Sequence, residues 1–191
     1  MEPSSNDLAD LLGQHPKLES SGTFTVRFDR LATRLRTDLF EQRESYLLKL
    51  LQAAVAAEAA EIKVTIGRRE VEGEFAAEVE LLEPSEFRRA LLLESTGCEA
   101  RDLLAVGSGA ALAFEGAEVE LTHGPYRVRL NSDDLKLDSL ARPSEICRFV
   151  LRRSWRYWRA RVTEHTLVYQ RFASIRTRVI LDGRGLVSQL A

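Results

Sequence analysis

The sequence predicts an α+β fold, a two-layer sandwich, on three observations. Residues Phe24, Val26 and Phe28, and again Ile62, Val64 and Ile66, alternate with polar neighbours at the period of a half-buried strand. From Glu41 onward Leu47, Leu50, Leu51, Ala54 and Val55 form one helical stripe. Strands and helices come in runs rather than in strict β-α-β alternation, which favours a helix layer laid on a sheet. With 191 residues, 45% of them hydrophobic, the chain can bury one good core as a single domain or a domain with an appendage.

Taken in order, residues 1–22 contain Pro3, Ser4, Ser5, Gly13, Pro16 and the turn Ser20-Ser21-Gly22, and predict a flexible N-terminal arm. Leu8, Leu11 and Leu12 could dock there as one helical turn. The body, residues 23–133, opens with the strand at Phe24–Phe28. A long helix follows, Tyr46 to Ala60, whose alanine-rich end lets something pack closely against it. Then come the strand at Ile62–Ile66 and, after a turn at Glu72-Gly73-Glu74, a third strand carrying Phe75, Val79 and Leu81. Pro84-Ser85-Glu86 opens a helix, Gly97 ends it, and Glu99–Phe114 forms another, interrupted by Gly107-Ser108-Gly109. Residues 117–122 and 126–130 read as a hairpin joined by His123-Gly124-Pro125. Residues 134–191 form a basic helical extension, Ser144 to Tyr169, and a closing strand, Thr177 to Leu181, before Asp182-Gly183.

Composition narrows the function classes. No run approaches the roughly 18 apolar residues of a membrane span, and the N-terminus is polar and acidic, so a cytoplasmic protein with no membrane partner is expected. Cys98 and Cys147 lie far apart with no metal-ligand spacing, and are expected to be buried free thiols. The net charge of −2 hides an asymmetry: residues 1–133 hold 15 Lys and Arg against 24 Asp and Glu, a balance of −9, whereas residues 134–191 hold 12 against 5, a balance of +7. The two parts should attract each other, or different partners.

The element order, together with Leu50-Leu51-Gln52-Ala53-Ala54-Val55-Ala56-Ala57 before Ile62-Lys63-Val64, resembles the Bergerat-fold (GHKL) ATPases: gyrases, ninety-kilodalton heat-shock chaperones, histidine kinases and mismatch-repair ATPases. The layout is most similar to the heat-shock chaperone N-terminal domain. The resemblance implies a mixed, mostly antiparallel sheet with helices on one face, spans roughly residues 23 to 185, and suggests the N-terminal part of a larger chaperone-like or signalling protein. Carried across, the superfamily's general-base glutamate falls on Lys49 and its magnesium-binding asparagine on Ala53. A lysine side chain is no base near neutral pH unless its surroundings strongly favour the neutral amine, and a methyl group ligates nothing. The helix is thus evidence for the architecture and against ATP hydrolysis, and its alanines imply a filled or narrowed pocket. In the adenine motif Glu83 stands for the aspartate, while Ser85 and Phe87 fall on the glycines. Gly107, Ser108, Gly109 and Ala110 resemble the glycine-containing segment that puts backbone N–H groups beside phosphates; tight helix packing is the alternative.

No catalytic residue and no metal site are expected. The resemblance allows ATP or ADP as a ligand, held by Glu83 and residues 107–110, without fast hydrolysis. The expected partner is a protein or further domains of the same chain. A third reading is nucleic acid: Arg152, Arg153, Trp155, Arg156, Trp158 and Arg159 combine arginines with aromatics as phosphate contacts plus stacking platforms. Against it, the tryptophans would anchor a helix to the sheet while the arginines answer the acidic part. Glu78 and Glu80 read as one exposed face of the third strand, and His15, His123 and His165 show no catalytic spacing.

Overall fold

The computed structural model describes residues 44–172 and 177–186; the arm at 1–22 and the strand at Phe24–Phe28 lie outside the described residues. In chain order the elements are α1 (Ser45–Ala56), β1 (Glu61–Ile66), β2 (Glu70–Ala76), α2 (Pro84–Leu91), α3 (Glu99–Ala111), β3 (Glu118–Leu130), β4 (Leu135–Arg152), a 3-10 turn (Trp155–Tyr157), α4 (Ala160–Phe172), β5 (Arg178–Leu181) and β6 (Arg184–Leu186). The described strands form one open sheet in the order β3-β4-β2-β1-β5-β6. Neighbours are antiparallel except β1 and β5, which run parallel.

The registers explain the two layers. Ile62 pairs with Phe75 and Val179, Val71 with Leu151, Phe149 with Leu121, and Phe75 with Cys147. All of these are buried, so one face of the sheet is continuously apolar. The opposite face carries the alternate residues, and cross-strand ion pairs lace it: Arg152 with Glu70 (3.2 Å) and Arg148 with Glu72 and Glu74. Period-2 burial of this kind forces the helices to one side. The fold is therefore the α+β two-layer sandwich that the segment pattern predicts.

On the helix side, α1 packs mainly on α3, and α2 also rests on α3. Tyr46, Leu47, Leu50, Leu51, Ala53 and Ala54 are buried, which is the expected stripe widened by Tyr46 and Ala53 but without Val55, which is half-buried. The helix stops at Ala56 rather than Ala60. Glu58 takes the left-handed conformation (φ 57°), while the Glu58 and Ala59 N–H groups donate to Val55 and Ala54, a Schellman ending made with glutamate where glycine is usual.

Four local expectations are corrected. The β1–β2 turn lies at 67–70, where Gly67 N–H donates to Glu70 O at 2.7 Å, and Gly73 sits inside β2. Strand β2 ends at Ala76, so Val79, Leu81, Glu78 and Glu80 lie in the loop before α2. His123-Gly124-Pro125 does not reverse the chain. Strand β3 runs through it with register shifts between Thr122 and Tyr126, and the true hairpin turn is Asn131–Asp134, where the Asn131 side chain accepts from the Asp133 and Asp134 N–H groups. The buried positions change parity across this stretch, from Val119, Leu121 and His123 to Val128 and Leu130, where Gly124 takes a positive φ of 55° and β4 supplies the extra residues. Finally, Ser144–Arg152 is strand, not helix, because Cys147, Phe149 and Leu151 pair inward against β2; helix begins only at Ala160. Strand β5 begins at Arg178 rather than Thr177, and the Asp182-Gly183 turn, with φ of 49° and 77°, leads into a further strand, β6, that the sequence pattern does not predict.

Candidate functional site

The residues that the resemblance singles out sit on α1 and α3. Ala53 is 0% exposed, deep in the contact between helix and core. Gly107 lies where α3 crosses α1: a Cβ there would meet Leu50 Cδ2 and Cγ at 3.0 Å and the Tyr46 carbonyl oxygen at 3.1 Å. Its lack of a side chain is what lets the two helices approach so closely. Residues 107–110 are all buried near the C-terminal end of α3, where helix geometry commits each backbone N–H to a carbonyl four residues back. The Ser108 hydroxyl likewise donates to Leu104 O at 2.7 Å. The helix starts at Glu99, not at these glycines.

Lys49, half-buried one turn before Ala53, lines an open cleft of about 580 Å³ with Ser95, Gly97, Glu99, Asp102 and Leu103. This cleft reaches the start of α3, whose first turn is acidic. Asp102 folds back over that end, accepting from Thr96 N at 3.2 Å, Thr96 Oγ1 at 2.7 Å and Ser95 Oγ at 3.2 Å. An anion arriving there would meet carboxylates where a phosphate site offers bare N–H groups. Glu83 is the N-cap of α2, accepting from Glu86 N and Ser85 Oγ at 2.7 Å each. The Glu86 N–H, with the Ser85 hydroxyl, holds the Glu83 carboxyl below its ordinary pKa. Its role in the structure is thus a helix cap.

The arginine–tryptophan segment crosses three structures instead of lying on one helix. Arg152 ends β4 and pairs with Glu70. Arg156, in the 3-10 turn, pairs with Glu115, and its guanidinium also lies 4.9 Å from the centre of the Tyr157 ring. Arg159 stacks 5.5 Å from the centre of the Trp158 ring, and Trp155 and Trp158 face solvent rather than anchoring a helix to the sheet.

Arg153 turns inward, and it organises a cluster that sequence reasoning missed. Both Arg153 and Glu164 have side chains 0% exposed. The guanidinium forks onto the carboxylate, Nη1 to Oε1 and Nη2 to Oε2 (2.7 Å), and Nη2 also reaches Gly67 O at 3.4 Å. Tyr46 donates its hydroxyl to Glu164 Oε1 at 2.8 Å. The Phe114 ring lies 5.2 Å under the guanidinium and edge-on to Tyr46 at 5.8 Å. Burial, and then the neighbouring Glu164 carboxylate, pushes the Tyr46 hydroxyl well above its usual pKa. For Arg153, burial pulls downward, but the bonds to Glu164 and the fields of Tyr46 and Glu164 outweigh it and raise the pKa. The cluster therefore holds a fixed ion pair and a neutral tyrosine, and ties α1, the end of β4 and α4 together. One signal was available in the sequence: Glu164 is the sole acid between Glu145 and Asp182.

His165 and His123 also find partners. His165 lies 2.7 Å from Asp182 Oδ2 and 2.6 Å from Arg161 O, while Asp182 Oδ1 accepts from Ile66 N at 2.9 Å. His123 is buried between Leu81 N and Ala77 O. Cys147 is buried, and burial raises its thiol pKa far above the usual range; Cys98 is half-buried, and both are free thiols. Among the described residues no group of three or more His, Cys, Asp or Glu could hold a metal ion, and no helix is long and apolar enough to cross a membrane. No protein-family model matches the chain, and no curated protein matches it.

Proposed function

We propose that this chain is a catalytically inactive Bergerat-type domain acting as a binding or scaffolding module within a chaperone-like or signalling assembly. The observation that carries the reading is the close packing of α1 on α3. In the superfamily's layout the nucleotide lies beside the first-motif helix and the glycine-containing segment. Here Ala53 is fully buried, Gly107 is in contact distance of Leu50, and the α3 start is covered by Asp102. Lys49 and Ala53 supply neither a carboxylate for the attacking water nor an oxygen for Mg²⁺. Isothermal titration of the full chain with ATP and Mg²⁺ tests it. No heat of binding and no phosphate release are expected; micromolar binding with turnover would sink the proposal.

The reading in which nucleotide binds without fast hydrolysis draws on the cleft beside Lys49, a cation next to an open space of about 580 Å³. In the same titration it requires saturable binding that Lys49→Ala abolishes.

A further inference from the structure

We infer that the outer face of α4, with the turn leading into it, is a docking surface for an acidic amphipathic helix of a partner protein. This deepens the binding-module reading and rests on it. Helix α4 has two unlike faces. Ala160, Glu164, Leu167 and Val168 are buried against the domain. On the other side Val162 is 65% exposed and Tyr169 50%, and just before the helix Trp155 is 64% and Trp158 44% exposed. Val162, Thr166 and Tyr169 follow one another at steps of four and three within the helix, which sets them along a single stripe. From Val162 to Tyr169 that stripe is about 10 Å long at helical rise. A shallow groove of about 570 Å³ runs along it, lined by Arg161, Val162, His165, Thr166, Tyr169 and Gln170.

The charge at the rim selects the partner. Arg159, Arg161 and Arg171 are exposed on this helix and its lead-in. The helix's own acid, Glu164, is buried on Arg153, and Glu115 is engaged by Arg156. The acid that adjoins the groove is Asp182, shared by His165 at 2.7 Å and Arg161 at 3.8 Å. An apolar stripe with a cationic rim fits a helix bearing leucine-type residues at matching spacing and carboxylates on its flanks. Single-stranded nucleic acid fits less well. Val162, 65% exposed, offers no ring for a base to stack on, and Arg152, Arg153 and Arg156 already face carboxylates.

The test uses the full chain and a fluorescein-labelled synthetic peptide of about 16 residues, apolar at helical spacing with glutamates on both flanks. Trp155 and Trp158 are the chain's two tryptophans, so their emission reports on this surface directly. Saturable anisotropy with a blue shift of that emission is expected. Val162→Glu with Tyr169→Glu, both at exposed helical positions, should weaken binding by about tenfold or more while leaving the melting curve unchanged. A scrambled peptide of the same composition binding equally, or affinity indifferent to the Val162 and Tyr169 changes, overturns the inference. So does tighter binding of oligo(dT) that Arg159→Ala removes, or self-association of the chain that Val162→Glu abolishes. Failure of the peptide arm with the ATP titration still silent removes this surface alone, because the two clefts share no lining residue.

Discussion

Changing Glu164 to glutamine keeps the shape of the side chain and removes its charge, leaving the Arg153 guanidinium buried opposite an amide. Both side chains are 0% exposed, so no solvent screens the loss. Glu164 accepts three hydrogen bonds, from Tyr46 Oη and from both Arg153 Nη atoms. The substituted amide could keep the two on Oε1, but its NH₂ group would face Nη2, donor against donor. Stranding one member of a buried pair costs about 3–5 kcal/mol, a large share of the roughly 5–15 kcal/mol that holds a domain together. Replacing both partners should cost less than the sum of the single changes, because Arg153→Met with Glu164→Leu leaves no uncompensated charge. Tyr46→Phe alone should cost about 1.5–3 kcal/mol, the worth of a hydrogen bond to a charged acceptor. Urea unfolding of the single and double variants, followed by far-UV circular dichroism, measures the cycle. A Glu164→Gln protein within about 1 kcal/mol of the parent, or a double variant as unstable as the sum of its parts, would refute the reasoning.

Two further outcomes follow from the packing and from protonation. Gly107→Ala gains helix propensity of about 0.5–1 kcal/mol but forces a methyl group to 3.0 Å from Leu50 and 3.1 Å from the Tyr46 carbonyl, so a net loss of about 1–2 kcal/mol is expected in the same urea assay. His123 accepts from Leu81 N at Nδ1, which fixes the neutral Nε2–H tautomer donating to Ala77 O, and burial holds its pKa below 6.5 despite that bond and the nearby Glu80. The unfolded chain therefore takes up this proton first as pH falls, so stability drops below about pH 6.5 until the folded pKa is passed. Glu83 and Asp182, whose folded pKa values are also depressed, lose their contributions only below about pH 4, as carboxylates do. Comparing the parent with His123→Gln between about pH 5 and 7 isolates the histidine, and equal slopes would contradict the assignment.

How far the sequence could be read depended on whether the signal was local. Strand β1 was legible because Ile62, Val64 and Ile66 alternate cleanly and all three face the core. The α1 stripe was legible for the same reason at period 3.6. Strand β4 was not, because Val150 breaks the alternation of Cys147, Phe149 and Leu151, and the arginine-rich run that follows looks continuous with a helix. The Gly-Pro pair at 124–125 carries turn chemistry, yet the structure uses it to bend a strand. The glycines of α3 stood out, but what lies over Gly107 is Leu50 and Tyr46, far away in sequence. Glu164 and Arg153 are separated by a 3-10 turn, so helical spacing could not pair them. Long-range partners decided β4, the α3 glycines and the Arg153–Glu164 pair.

The charged outer face of the sheet, finally, limits how this domain can be covered. A second layer laid on Glu70, Glu72, Glu74, Arg148 and Arg152 would have to strip water from ion pairs that are half exposed and gain little from one another in solvent. Dehydrating such groups costs several kcal/mol per ion, far more than the pairs return. The face thus acts as a hydrated shield that discourages stacking of sheet on sheet, whereas α4 leaves the apolar atoms of Val162 and Tyr169 in contact with water.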